Sequence, residues 1–273
     1  MNSNPRQEQI EIKVERAKTH LIELNRVVEA FLASTPYTVV KRADPQTGKH
    51  GYEMAQVAGV PSTITAVFGD VLQNLRSALD HLANQLLLVN LRAERTNQEF
   101  NFPICGDLSK HEALFQGKPK LRGDAWRALQ ALRAYRGGSG HQFWVLNRLN
   151  NIDKHRLMLF AGSASRSVNL GALVSRQLQD FMTTLPAGHP AKHDVPIVDA
   201  FFQPADNQCP LKVGDLLIVG LDLSMEMDSN RDFRFEVAIN EPNVLDGKPV
   251  IEAAQEFADL VSGTVKSFRP YLE

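Results

Sequence analysis

Residues 68–86 read FGDVLQNLRSALDHLANQL, and how these side chains sort around a helix decides the architecture. At 100° per residue, Phe68, Leu72, Leu75, Leu79, Leu82 and Leu86 share one stripe, which reads as core. Almost opposite, Asp70, Asn74, Ser77, His81 and Asn84 recur at spacings of four, three, four and three, so five small polar or ionisable groups line one face. A solvated helix face is ordinarily rich in Lys and Glu; these short groups suit a packed polar interface. Arg76 and Asp80 lie at the edge of the row, four apart, which is the spacing of an intrahelical ion pair. The helix is expected over 63–91, opened by Pro61-Ser62 with Ser62 as its cap.

Upstream, Ile10, Ile12, Val14, Ala17, Leu21, Leu24, Val27, Val28 and Phe31 repeat near the helical period and predict a helix over 6–33. Tyr37–Lys41 and Tyr52–Val57 flank Asp44-Pro-Gln-Thr-Gly48, whose turn-forming residues predict a β-hairpin. Downstream, helices are expected near 108–116 and 124–135, then from His141 to His155 after the Gly137–Gly140 break. From Leu157 the character changes, and Leu157–Phe160, Ser167–Leu170, Asp215–Val219 and Phe233–Ile239 read as strands. An amphipathic helix over about Pro249–Phe268 closes the chain. The expected class is α+β in one unit spanning 1–273: a mainly helical part at 6–156 with a hairpin at 37–57, an antiparallel β-rich part at 157–247, and a helix at 248–270 returning to the bundle.

Composition narrows the function. With 43% hydrophobic and 22% charged residues, disorder and collagen-like repeats are excluded. No apolar run, Leu86–Val89 included, is long enough for a membrane span, and the N-terminus has no apolar signal core; a cytoplasmic protein is expected. Cys105 and Cys209 are isolated and read as reduced thiols. A net charge of −1 hides an asymmetry: Gly117–Arg156 carries +7 and Pro196–Leu260 carries −9. A basic face of this kind suits a polyanion or the acidic part of a second copy, and equally an ordinary solvated surface.

Two constellations carry chemistry. Arg76 offers a planar cationic fork for a phosphate, and His81 an imidazole able to give or take a proton, so the pair suits clamping a phosphodiester and moving a proton without a metal. Five positions turn the two about 140° apart around the helix. A shared phosphate therefore needs Arg76 to bend round, or another helix, such as that of a second copy, to complete the site. The second constellation is Asn150-Asn151-Ile-Asp153-Lys154-His155-Arg156, at the end of a helix that places Trp144, Arg148, Asn151 and His155 on one face. Lys154 and Arg156 also complement the helix dipole, and His155 suits a cap on the last carbonyls.

Asp70, Asp80, His81, Asp153 and His155 form an alternative metal-ligand set for a hydrolase, although neither HExxH nor Glu-x-x-His is present. Neither Walker-type loop, GxGxxG nor GxSxG occurs, which disfavours nucleotide hydrolysis, dinucleotide redox chemistry and α/β-hydrolase chemistry.

Gly69–Leu82, Phe102-Pro-Ile104 and Leu146–Leu157 together resemble a widespread group of uncharacterised bacterial proteins. More distantly, Arg76 to His81 resembles the Arg-x4–6-His signature of HEPN domains, helical bundles that include metal-independent endoribonucleases. That resemblance implies a HEPN-like antiparallel bundle bearing the hairpin and an appended β-rich segment, the latter foreign to a plain HEPN bundle. It also implies a homodimer with RNA as partner, no cofactor and no metal, Arg76 as phosphate clamp and His81 as general acid or base. Asn74, Ser77, Asp80, Asn151, Asp153, Lys154, His155 and Arg156 would orient the site or contact RNA. The competing expectation is a non-enzymatic scaffold in which the same residues form a structural polar network.

Overall fold

The fold is known from a computed structural model that describes residues 5–43, 50–117, 119–158, 160–163, 168–198, 200–202, 209–221, 227 and 232–273. In chain order it consists of α1 (Pro5–Ala33), β1 (Tyr37–Ala43), β2 (His50–Val57), α2 (Ser62–Leu91), α3 (Leu108–Gln116), α4 (Gly123–Ala131), α5 (His141–His155), β3 (Phe160–Ser163), β4 (Val168–Asn169), α6 (Leu170–Thr184), β5 (Phe201–Phe202), β6 (Leu216–Leu221), β7 (Glu236–Glu241), β8 (Leu245–Pro249) and α7 (Val250–Phe268). The class is α+β with small antiparallel sheets.

Burial of the leucine stripe organises the helices. All six residues from Phe68 to Leu86 on that stripe are buried, packed with Ile10, Val14 and Leu24 of α1, Leu146 and Leu149 of α5, and Phe257 and Val261 of α7. Each such side chain contributes about 2 kcal/mol relative to exposure, so the bundle is the main source of stability. Helix α2 begins at Ser62 itself: Pro61 occupies the cap position and Ser62 makes no capping bond, because the proline ring already fixes the entering backbone. No helix among the described residues is long and apolar enough to cross a membrane.

Helix α4 stops at Ala131, short of the expected 135. Arg133 turns left-handed at φ 48° and Tyr135 bridges to Cys105, since the chain must reverse tightly before α5. Gly140 permits the reversal; a Cβ there would run into the Leu132 carbonyl.

The strands depart further from expectation. The hairpin strands pair antiparallel from Tyr37↔Val57 to Ala43↔His50, while the expected turn at Asp44–Gly48 lies outside the described residues. Strand β6 adds to this hairpin through Tyr52↔Ile218 and Glu53↔Leu216, giving a sheet of order β1-β2-β6. The β-rich part is thus not a separate appendage. Tyr37, Tyr52, Met54, Val168, Leu211, Leu217 and Phe233 bury together as a second core.

Strand β3 starts at Phe160 rather than Leu157, which is exposed, and pairs with β7 from Phe160↔Ile239 to Ser163↔Glu236. Phe233 and Phe235 precede β7 instead of belonging to it, because their rings pack on Tyr52 and Tyr37 at 5.7 and 5.2 Å. Ser167 lies outside the described residues. Only Val168–Asn169 of that expected strand pairs, before Asn169 Oδ1 accepts from Ala172 N at 3.0 Å and starts α6. Val174, Leu178 and Phe181, spaced four and three apart, share one side of this helix, and that side is exposed.

Arg176 of α6 donates to the fully buried Asp232 at 2.6 Å, tying the helix to the approach to β7. Asp232 has further interactions, so Arg176→Ala is expected to lower stability by about 2 kcal/mol, read as a lower denaturation midpoint at unchanged slope. An unchanged midpoint would mean that the ion pair does not hold α6.

Candidate functional site at the seam of two helices

Helices α2 and α5 run antiparallel, with Arg76 opposite Asn147 and Gly69 opposite Asp153. Arg76 Nε donates to Asn147 Oδ1 at 2.9 Å and Nη2 to the Phe102 carbonyl at 3.4 Å. Its Nη1 lies 2.5 Å from Asp80 Oδ1 as an ion pair, without the alignment of a hydrogen bond. Asp80 Oδ1 in turn accepts from Phe102 N at 3.0 Å. The Arg76 side chain is 12% exposed, so its fork is spent on the fold, binding the strand-like segment through Phe102 and the helix through Asn147.

His81 behaves oppositely. It stands on the exposed side of α2, five residues and about 140° from Arg76, with no hydrogen-bond partner among the described residues. Within one chain the two groups expected to act on a phosphate face different surroundings. On the same open side as His81, α2 presents Asn74 and Ser77, both half-buried, and exposed Asp70. Asn74 Nδ2 bonds the Asp70 carbonyl at 2.8 Å, and Ser77 Oγ lies 3.5 Å from Gln73 Nε2. Helix α5 carries half-buried Asn147, the partner of Arg76, with half-buried Asn151 and exposed Lys154.

Asp153 points into the seam against Gly69, where any Cβ would collide with its carboxylate. Burial, and then the nearby Asp70 charge, push its carboxyl above the ordinary value of 3.8. The folded state therefore holds this proton more tightly than the unfolded chain, and the group's contribution to stability falls as pH rises from 3.8 through the raised value. Asp153→Asn, similar in shape, is expected to raise the melting temperature at pH 7 and to change it little in acid, where the wild-type carboxyl carries its proton. Thermal melts across that range test this; a variant less stable at pH 7 would mean that a cation compensates the carboxylate. One turn back, Asn150 is fully buried with neither amide atom hydrogen-bonded among the described residues.

Arg156, just past α5, grips the nearly buried Glu241 of β7 with two bonds of 2.9 and 2.7 Å. Its charge is held by the fold as Arg76's is. His155 is exposed, and the bond closing α5 runs from Arg156 N–H to the Ile152 carbonyl, so His155 makes no such cap.

The five proposed metal ligands do not converge. Asp70 and Asp80 lie about 15 Å apart along α2, Asp80 is committed to Arg76 and Phe102, and His81 and His155 are both solvent-facing. Among the described residues no three His, Cys, Asp or Glu gather around one point. Both thiols are raised by burial, Cys209 to about 11, and stay protonated at neutral pH.

The seam joins all three stretches singled out in the sequence: Gly69–Leu82 meets Phe102 through Arg76 and Asp80, and Leu146–Leu157 through Asn147 and Asp153. Asn147, the Phe102 backbone and Glu241 were not anticipated as partners. The Arg76–Asp80 spacing was the one available signal, since backbone acceptors and contacts across 71 or 85 residues leave no local pattern. No family model, curated protein or solved structure matches the chain.

Proposed function

We propose that the chain is an RNA-binding helical module of the HEPN kind, working as a homodimer, in which Arg76 maintains the seam and His81 faces the bound strand. The supporting observation is a set of cations left over by the fold. Of the nine Lys and Arg in 117–156, Arg122 pairs with Asp124, Arg156 with Glu241, and Arg133 donates to Tyr135 Oη. Lys118 lies outside the described residues. Lys120, Arg127, Arg136, Arg148 and Lys154 have no acidic partner among the described residues, which leaves their charge available to a polyanion.

If RNA is cleaved, His81 is the group placed to move a proton from the 2′-hydroxyl, and an arginine contact to the phosphate would come from elsewhere than the tethered Arg76. A single-stranded RNA titrated at several salt concentrations tests the binding; log affinity should fall linearly with log salt. No binding even at low salt would end the proposal. Equilibrium sedimentation tests the dimer, and cleavage by His81→Ala tests the chemistry.

The scaffold reading has its own support in the Arg76, Asp80, Phe102 and Asn147 network. It places His81 inside the network and so requires His81→Ala to destabilise. Because His81 is exposed and unpartnered among the described residues, that variant is expected to stay within about 0.5 kcal/mol of wild type, as thermal unfolding will show.

A further inference from the structure

Helix α5 carries rings and cations on the side turned away from its buried residues. His141, Trp144, Arg148 and His155 fall in one sector of the helix, and from first to last they cover about 21 Å of its length. The Trp144 ring is half-buried against the main core; His141 lies nearly parallel to it at 18° with centroids 5.3 Å apart, and the Arg136 guanidinium sits 5.2 Å from its centre. Gly137 N–H donates to His141 Nδ1 at 3.1 Å, so the glycine turn before α5 sets the imidazole's orientation. Arg148 and His155 are exposed about two and four turns after His141. Neither acidic residue of 117–156 opposes them, because Asp124 is held by Arg122 and Asp153 is turned onto Gly69.

We infer that this face is the single-strand subsite of the protein: an unpaired base extends the Arg136, Trp144 and His141 stack, and the following phosphates run past Arg148 and His155. The inference rests on the RNA reading above. Every base has a π-face, so aromatic and guanidinium groups bind it without regard to sequence, and cations alongside track the backbone. A duplex keeps its bases stacked on each other and would offer this face phosphates alone. At 3.4 Å per stacked nucleotide, the 21 Å row spans about six nucleotides.

Tryptophan fluorescence provides the test, since Trp126 and Trp144 are the only two tryptophans and Trp126 is buried in the core. The full-length protein, its Trp126→Phe variant and its Trp144→Ala variant are titrated with an unstructured oligouridine and with an RNA duplex of equal phosphate number. Oligouridine should alter the Trp144 emission of Trp126→Phe and bind the wild type at least tenfold more tightly than duplex. Trp144→Ala should lose about tenfold or more in oligouridine affinity while duplex binding stays within about twofold. If Trp126→Phe fails to fold, the difference between wild type and Trp144→Phe reports the same emission. Equal binding of both RNAs, unaffected by Trp144→Ala, would overturn this subsite and leave the RNA reading standing. Absence of binding to either RNA would remove the RNA reading itself.

Discussion

Arg76→Ala is expected to lower the unfolding free energy by about 3 kcal/mol, the cost typical of removing one partner of a largely buried ion pair. At roughly 2–4 °C per kcal/mol for a chain of this size, the melting temperature should fall by roughly 6–12 °C. The loss has identifiable parts: Asn147 Oδ1 and the Phe102 carbonyl lose their donors, and Asp80 loses its cation and is left with the Phe102 N–H as its hydrogen-bond partner among the described residues. Arg76→Lys should recover part of the ion pair without the fork that reaches Asn147 and Phe102 together. Urea denaturation of both variants, with Asp80→Ala and the double variant, measures the coupling directly. Full stability of Arg76→Ala combined with loss of RNA cleavage would instead make Arg76 the phosphate clamp of an active site.

The second large effect concerns binding. Reversing Arg148 and Lys154 together to glutamate is expected to weaken single-stranded RNA binding by about 100-fold at low salt, because each change removes one phosphate contact and adds a repulsive charge. The deficit should shrink as salt rises, and the slope of log affinity against log salt should drop by about 1 to 2. Both side chains are exposed and neither has an acidic partner among the described residues, so stability should be little changed. Weak binding that persists unaltered in this variant would move the RNA-contacting surface away from α5.

The two predictions separate residues of the same type within one segment of sequence. Arg148 sits midway along α5 and Arg156 eight residues later, just past its end, yet Arg156 is consumed by Glu241, 85 residues further on, and Arg148 is not. Counting charges gives +7 for 117–156. Subtracting the pairs that the fold makes identifies which of those charges remain to meet a polyanion.

Helical periodicity alone located the long helices, because a 3.6-residue repeat of leucines is a direct record of which face meets the core. The stripe from Phe68 to Leu86 is buried as its spacing implies, and the four-residue spacing of Arg76 and Asp80 does produce their ion pair. Both are local facts, encoded within one or two turns. Helix α6 and strand β8 escaped that reading: the 174, 178 and 181 repeat of α6 was present but not read, and β8, with sequence LDGKP, is a strand only because β7 lies beside it.

What the sequence by itself determined was the α+β class, the buried leucine stripe of α2 and the distribution of charge. Tertiary structure alone decided that β6 completes the hairpin sheet, that Arg76 reaches Asn147 and Phe102, and that His81 looks out to solvent on the other side of the same helix. The reason is physical. Periodicity reports how a segment divides between water and core, whereas the partner of a polar side chain depends on which distant segment supplies a matching donor or acceptor within about 3 Å, and that is set only when the helices pack.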